Sequence, residues 1–343
     1  MRPLRARYGL YAPAMAGLLF AGPAFAQAPL TYLTSNGPNA DAIRPLTWAL
    51  IAVSVIVCLI IGGLVLAGVF RRPGLALPEP GSPMEVGPEG GGLSWLWIGV
   101  GLSSVVLVAS IVWTVAVLAH IARPPAKPDT HIEVTAHQWW WQVNYVADDP
   151  ALDFETANEI HIPVGRPVAF KLIGGDVIHS FWVPQLAGKT DLIPGQTNEM
   201  WLEASKPGVY RGQCAEYCGI EHAHMAFVVV AQSPEDFARW RAHQLQAPPA
   251  PTGQAARGAE EFQMHCGGCH SVSGTQSGGD LGPNLSHLMQ RRTLAAGMLP
   301  NDAAHLAQWI SDPQNIKPGV NMQDPKLSRA ELSDVLTYLV TLQ

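Results

Sequence analysis

Two uninterrupted apolar runs, Leu46 to Phe70 and Ser94 to Ala119, constrain this chain more than any other feature. Each exceeds the roughly 20 residues that cross a bilayer as a helix. In lipid the backbone must satisfy its own polar groups, so a pair of transmembrane helices is the expected structure. Charged residues make up only 14% of the chain and nearly all lie outside these runs, the pattern of a membrane anchor joined to a soluble part. A length of 343 residues leaves room for two or three units. The net charge of -6, with no basic stripe carrying interleaved aromatics, gives no footprint of a nucleic-acid partner.

The segment ahead of the first run has its own logic. Arg2, Arg5 and Arg7 precede an apolar stretch from about Gly9 to Phe20, which ends at Ala24, Phe25 and Ala26. This is the three-part pattern of a secretory signal peptide over residues 1–26; a third membrane helix is the alternative, but the stretch is short and broken by Pro13 and Pro23. Residues 27–45 then form a periplasmic N-terminal segment, 46–70 and 94–119 the membrane helices, and 71–93 the loop between them. Arg71 and Arg72 place that loop in the cytoplasm. Arg44, Arg123 and Lys127 weaken the charge asymmetry without reversing it. Both ends of the mature chain are therefore expected in the periplasm of a bacterial inner membrane.

From residue 129 to 241 the pattern is that of short strands. His131 to Tyr145 alternates, and Glu159–Pro163, Pro167–Ile173, Thr197–Leu202 and Ala226–Ala231 are rich in β-branched or aromatic residues. Turn signals such as Ile193-Pro194-Gly195 and Lys206-Pro207-Gly208 separate them, which predicts an antiparallel sandwich or barrel. The chemistry is concentrated between Gln213 and Met225. Cys214, Cys218, His222 and Met225 fall there, and His179 lies about one hairpin earlier. Thiolate, imidazole and thioether together favour copper over magnesium or calcium, and a second thiolate allows two sulfurs to bridge two metal ions. A Cys214–Cys218 disulfide or a zinc held by two cysteines and two histidines would use some of the same residues, but neither calls for Met225. Cys58, inside the first apolar run, reads as a small packing residue.

Three stretches carry a resemblance: His179 to Pro184, Lys189 to Gly195, and Gln213 to Met225. Together they resemble the dinuclear copper (CuA) domain of cytochrome c oxidase subunit II. The resemblance implies a cupredoxin β-sandwich. It also implies copper ligands at His179, Cys214, Cys218, His222 and Met225, with the backbone carbonyl of Glu216 as a weak ligand. The Glu216 side chain matches a carboxylate that reaches a magnesium ion at the boundary with subunit I, while His224 reads as a neighbour of the site. The run Trp139-Trp140-Trp141 has an ordinary reading as sheet or membrane-interface packing. In the family's aromatic segment, however, the first tryptophan is the exposed residue through which electrons arrive, which maps to Trp139.

A Pro-rich linker, residues 242–254, leads to a C-terminal unit at 255–343. Cys266-Gly267-Gly268-Cys269-His270 is the pattern of covalent haem c attachment: two thiols form thioethers to one porphyrin and the histidine binds its iron. Helices are expected from Ala255 to Met264 and from Ser328 to Leu342, around Leu281-Gly282-Pro283-Asn284-Leu285. The unit resembles an all-α class I cytochrome c. For the sixth ligand the chain offers Met289, Met298, Met322, His287 and His305. The resemblance favours Met322, in the loop before the last helix, and a methionine ligand raises the haem potential.

Taken whole, a two-helix hairpin, an all-β cupredoxin domain and an all-α cytochrome c domain resemble a subunit II that carries its own cytochrome c. The resemblance implies electron flow from cytochrome c or another periplasmic donor through haem c and CuA to haem in subunit I. Oxygen reduction and proton translocation take place in that partner, with subunit III a further partner. A tether alone would put haem and copper at an effective concentration of about a millimolar. Many family members carry a proton-channel glutamate near the start of the second helix. Ser94 stands at that position here, and Glu89 is the nearest substitute. The rival readings are the CuA module of nitrous oxide reductase, a quinol oxidase subunit II, and a membrane-tethered electron carrier or copper-delivery protein. The first lacks a hairpin and fused haem, and the second lacks copper ligands.

Overall fold

The computed structural model describes residues 30–70 and 92–343. The expected signal peptide at 1–26 and most of the expected loop at 71–93, including Arg71, Arg72 and Glu89, lie outside the described residues.

Helix α1 spans Pro38–Phe70 and α2 spans Gly92–Ile121. Helix α1 starts well before Leu46, so the end of the expected 27–45 segment is helical. Pro38 suits a first helical position through its fixed φ and missing N–H, and the first turn is held by packing, with Asn39 and Ala40 buried. The most apolar stretch of each helix buries nothing within the protein, as a lipid-facing surface would. Ser94 is exposed near the start of α2. Residues just ahead of α1 are stitched to the soluble part. Asn36 N donates to the Gln185 carbonyl at 2.7 Å, Ser205 N donates to the Asn36 carbonyl at 2.8 Å, and the Asn39 amide donates to the Trp201 carbonyl at 2.9 Å. At the end of α2, the Ile121 carbonyl accepts from Trp201 Nε1 at 2.8 Å.

The next unit is a sandwich of two five-stranded sheets. Its strands are β1 (Thr130–His137), β2 (Trp140–Val146), β3 (Phe154–Ala157), β4 (Glu159–Pro163), β5 (Val168–Gly174), β6 (His179–Trp182), β7 (Thr190–Leu192), β8 (Thr197–Leu202), β9 (Gly208–Cys214) and β10 (Ala226–Gln232). One sheet has the order β3-β2-β1-β5-β8 and the other β4-β10-β9-β6-β7. Within each sheet one pair is parallel, β1 with β5 and β10 with β4, and the others are antiparallel. The alternation of β1 sends Ile132, Val134 and Ala136 inward. An aromatic cluster fills the space between the sheets, with Phe181 and Phe227 stacked at 4.5 Å and Trp141 at 5.0 Å from Phe227. The single alternating run expected from His131 to Tyr145 is a hairpin: β1 and β2 pair with His137 opposite Trp140, so the chain reverses at Gln138 and Trp139.

Helix α3, Pro234–Gln244, was not expected from the sequence. Ser233 caps it by accepting from Asp236 N, and Pro234 occupies its first turn. The expected linker at 242–254 therefore begins inside a helix. Its first part is anchored: Gln244 is buried and donates to Gln290 Oε1 at 3.0 Å. The C-terminal unit contains α4 (Gln254–His265), a two-stranded ribbon of β11 (Thr293–Leu294) and β12 (Leu299–Pro300), α5 (Ala303–Ser311), α6 (Pro313–Ile316) and α7 (Arg329–Leu339). A capping box between Ser328 and Glu331 starts α7. Helices α4 and α7 cross at Gly258, where an added Cβ would run into the Asp334 carbonyl and touch Tyr338. Gly258→Ala should destabilise this unit by about 1–3 kcal/mol through overpacking. Thermal unfolding of the full chain followed by far-ultraviolet circular dichroism checks this, and an unshifted transition would refute close contact at the crossing.

Candidate functional site

The first cluster follows from strand pairing. Strand β6 lies against β9 with Phe181 opposite Cys214, and β9 pairs with β10 with Gln213 opposite Ala226. The chain between Cys214 and Ala226 must therefore leave and re-enter the sheet side by side, folding its side chains over the strand ends beside His179. Backbone bonds hold it there. Cys214 N donates to the Met225 carbonyl at 3.0 Å, Ala215 N to the Ser180 carbonyl at 3.0 Å, and His222 N to the Gly219 carbonyl at 3.1 Å.

The donors converge. Cys214 Sγ lies 3.7 Å from Cys218 Sγ, 3.8 Å from His179 Nδ1 and 3.3 Å from the Glu216 carbonyl oxygen. Cys218 Sγ lies 3.6 Å from His222 Nδ1 and 3.9 Å from Met225 Sδ. The sulfurs are too far apart for a disulfide, whose bond is about 2.05 Å. Two thiols, two imidazoles, a thioether and a carbonyl exceed the four ligands of a tetrahedral zinc and suit a pair of soft ions. His179, Cys214, Cys218 and Met225 are buried and His222 is half-buried. The Glu216 side chain is exposed, with its Oε1 accepting from Tyr217 N at 3.2 Å. Among the described residues it joins no cluster of three metal-ligating side chains.

Electrostatics favour a charged occupant. The hydrogen-bonding contact with Cys218 holds the Cys214 thiol far below its ordinary range, and the same contact, helped by burial, pushes Cys218 up. One proton leaves the pair readily, while the second needs a cation to replace it. Burial would lower the His179 imidazole, but hydrogen bonds to Asp176 and Cys214 outweigh it and raise the group. Asp176 Oδ1 lies 2.8 Å from His179 Nε2, which fixes the ring and leaves Nδ1 facing the sulfur. Asp176 also accepts from Gln138 N at 2.6 Å. Sequence reading missed Asp176; its place three residues before His179 was the available signal.

The second site is a cavity of about 450 Å³. Cys266, Cys269, His270 and Met322 all line it, while Met289, Met298, His287 and His305 do not. His287 bonds the Gln343 carbonyl and His305 bonds Asp302. Apolar residues such as Phe262, Leu288, Leu306 and Ile310 make up much of the wall. Volume, apolar walls and a pair of thiols beside an imidazole fit a planar macrocycle. His270 Nδ1 lies 2.8 Å from the Pro283 carbonyl, and Gly282 sits so close to the ring that a Cβ would meet it. Burial holds this imidazole below the usual histidine range, so it is neutral with Nε2 available. Burial, reinforced by Cys269, raises the Cys266 thiol to about 11.

The two sites share a seam. Gln138, Trp139, Trp140 and Asn158 of the sandwich also line the cavity. Trp139 is only 6% exposed, so the expectation of an exposed tryptophan is corrected: the C-terminal unit covers it. Gly319 packs against its ring, while its Nε1 donates to the Cys218 carbonyl at 3.0 Å. Further bonds join the two units. Ala226 N donates to the Ala296 carbonyl at 3.0 Å, Arg292 N to Glu159 Oε2 at 2.9 Å, and Lys317 Nζ to the Trp139 carbonyl at 2.8 Å. Lys317 also escaped the sequence reading.

Residues 130–232 match the family described as cytochrome c oxidase subunit II, periplasmic domain, and residues 255–343 match cytochrome c. A cytochrome c oxidase subunit 2 of Alkalihalophilus pseudofirmus is 36% identical over 92% of this chain and 91% of its own length. The protein of that name from Bacillus sp. strain PS3 is 30% identical over 73% of each. Among solved structures, the periplasmic domain of subunit II of cytochrome oxidase from Bradyrhizobium japonicum is 34% identical. It covers 35% of this chain and 95% of its own, with a TM-score of 0.33. Two apolar helices, a cupredoxin-like sandwich and a cytochrome c domain in one chain, matched along most of its length, make this protein a member of the cytochrome c oxidase subunit 2 family.

Proposed function

We propose that this chain receives electrons from a periplasmic cytochrome c and passes them to subunit I, where oxygen is reduced to water and protons are translocated. When bound, a covalent haem c and a dinuclear copper centre supply the one-electron carriers between the two ends. The observation that carries the reading is Trp139, whose ring lines the cavity of Cys266, Cys269 and His270 and whose Nε1 bonds the carbonyl of Cys218.

In this reading Cys266 and Cys269 would hold the porphyrin covalently, and His270 and Met322 would bind its iron. His179, Cys214, Cys218, His222 and Met225 hold copper with the Glu216 carbonyl. The exposed Glu216 side chain is left to meet a magnesium ion at the face toward subunit I. Asp176 keeps His179 in the tautomer that offers Nδ1. The aromatic cluster of Trp141, Phe181 and Phe227 beside the sulfurs keeps water out and lowers the local dielectric. Trp139 is the bridging group through whose packed and hydrogen-bonded ring electrons would tunnel across the seam between domains. The helical hairpin runs outward, inward and outward again, with both mature termini and both metal-carrying domains in the periplasm. Subunit I and subunit III cover the hairpin's exposed apolar surface. The proton path that many relatives open with a glutamate has Ser94 at that place here, with Glu89 the nearest carboxylate in sequence.

Metal and haem analysis of the purified chain should find two coppers and one covalent haem. Cys218→Ser should abolish the mixed-valence copper signal in electron paramagnetic resonance, and an unchanged spectrum would refute the copper assignment. Met322→Ala should remove the sulfur–iron charge-transfer band at the red end of the haem spectrum; its persistence would point to another axial ligand. Trp139→Phe should leave metal and haem content intact and slow haem-to-copper transfer in flash photolysis. Equal rates would reduce Trp139 to a packing residue.

A further inference from the structure

Lys317 is a charged residue in an unusual place. Its side chain is only 1% exposed, at the seam between the sandwich and the C-terminal unit. Burying an ammonium costs several kcal/mol unless its donors are satisfied. Here all three are. Nζ donates to the Trp139 carbonyl at 2.8 Å, the His224 carbonyl at 2.8 Å and the Ala295 carbonyl at 3.1 Å. Two of these acceptors belong to the sandwich and one to its own unit.

Among the described residues no carboxylate touches the ammonium directly. Burial lowers it to about 8, and the nearby Glu221 and Cys218 work against that fall. Glu221 is itself buried and lies 2.6 Å from His224 Nδ1, so it steadies the residue whose carbonyl Lys317 uses. The acceptors are fixed dipoles on two loops, and they meet one Nζ only when the domains sit in a single register. Sliding either surface leaves a desolvated ammonium or a pair of desolvated carbonyls unpaired, so this contact penalises every other docking. Such a buried charge acts chiefly as a register device, because its net contribution to stability is small.

What that register aligns is functional. Trp139 is held at its carbonyl by Lys317, at its indole by the Cys218 carbonyl, and along its ring by Gly319. From Lys317 the loop runs on to Met322, inside the haem cavity. We propose that Lys317 is a positioning residue that sets the docking register of the two domains. It pins Trp139 and the Cys218 loop against the haem cavity, so electrons cross a preformed contact and no search by a tethered domain is needed. This deepens the electron-transfer reading above and rests on it.

Two measurements on the full chain in detergent, loaded with copper and haem, test the proposal. Acylation of the unaltered protein with acetic anhydride, read by mass spectrometry, should modify the exposed Lys326 and leave Lys317 unreacted. Comparable labelling of both would overturn the proposal. Lys317→Met keeps the length and apolar stem and removes the ammonium. It should retain the copper and haem spectra, slow flash-initiated haem-to-copper transfer by about tenfold or more, and raise amide hydrogen exchange across residues 137–141. Lys326→Met, which removes an exposed charge, should change neither. Wild-type transfer and exchange in Lys317→Met would overturn the positioning role while leaving the electron-transfer reading intact. Absence of transfer in the unaltered chain would instead sink that wider reading. Should Lys317→Met fail to load its cofactors, the acylation pattern decides.

Discussion

The antiparallel pairing of β9 with β10 is the constraint on which the metal chemistry depends. Cys214 ends one strand and Ala226 begins the other, so the loop between them has to close on itself over the sheet edge. That closure brings two thiols to 3.7 Å without joining them. Elsewhere a pair this close and buried would be a liability, since two thiolates repel and two thiols invite oxidation. The loop tolerates it because backbone bonds to Met225 and Ser180 fix its course and because imidazoles stand on both flanks.

The second organising feature is that the cytochrome domain is seated on the sandwich. A Pro-rich connection in the sequence suggested a tether, and a tether would make the encounter a matter of effective concentration. Gln244 is instead buried against the C-terminal unit, Glu159 accepts from Arg292, and Trp139 is covered. The surface around Trp139 is already occupied by the chain's own C-terminal unit, with Gly319 against its ring.

Much of this was legible in the sequence, and what was not has physical reasons. The membrane runs were plain because length and apolarity are properties of composition. The cysteine, histidine and methionine positions were visible because their spacing is local and their chemistry rare. The alternating run from His131 to Tyr145 hid a hairpin, since Gln138 and Trp139 carry none of the usual turn chemistry and the reversal is held from outside by Asp176 and Cys218. Helix α1 began early because its first turns pack on the sandwich, which periodicity does not report. Asp176 stood three residues before His179, but an aspartate there shows its bond to the ring only once the loop is folded. Lys317 works through partners far away in the chain, and nothing local distinguishes a lysine that satisfies three carbonyls from one that meets water.

The stitching of Asn36, Asn39 and Ile121 onto the sandwich bears on how the molecule stands in its membrane. Both membrane helices meet the globular part through short, directly bonded junctions, one through Asn36 and Asn39 just before and within the first turn of α1 and one at the end of α2. Both fastenings reach Trp201, Asn39 at its carbonyl and Ile121 at its indole, and two helices held there swivel less than a single stalk would. The height and tilt of the sandwich and its seated C-terminal unit above the lipid are then set in part by bonds within this chain.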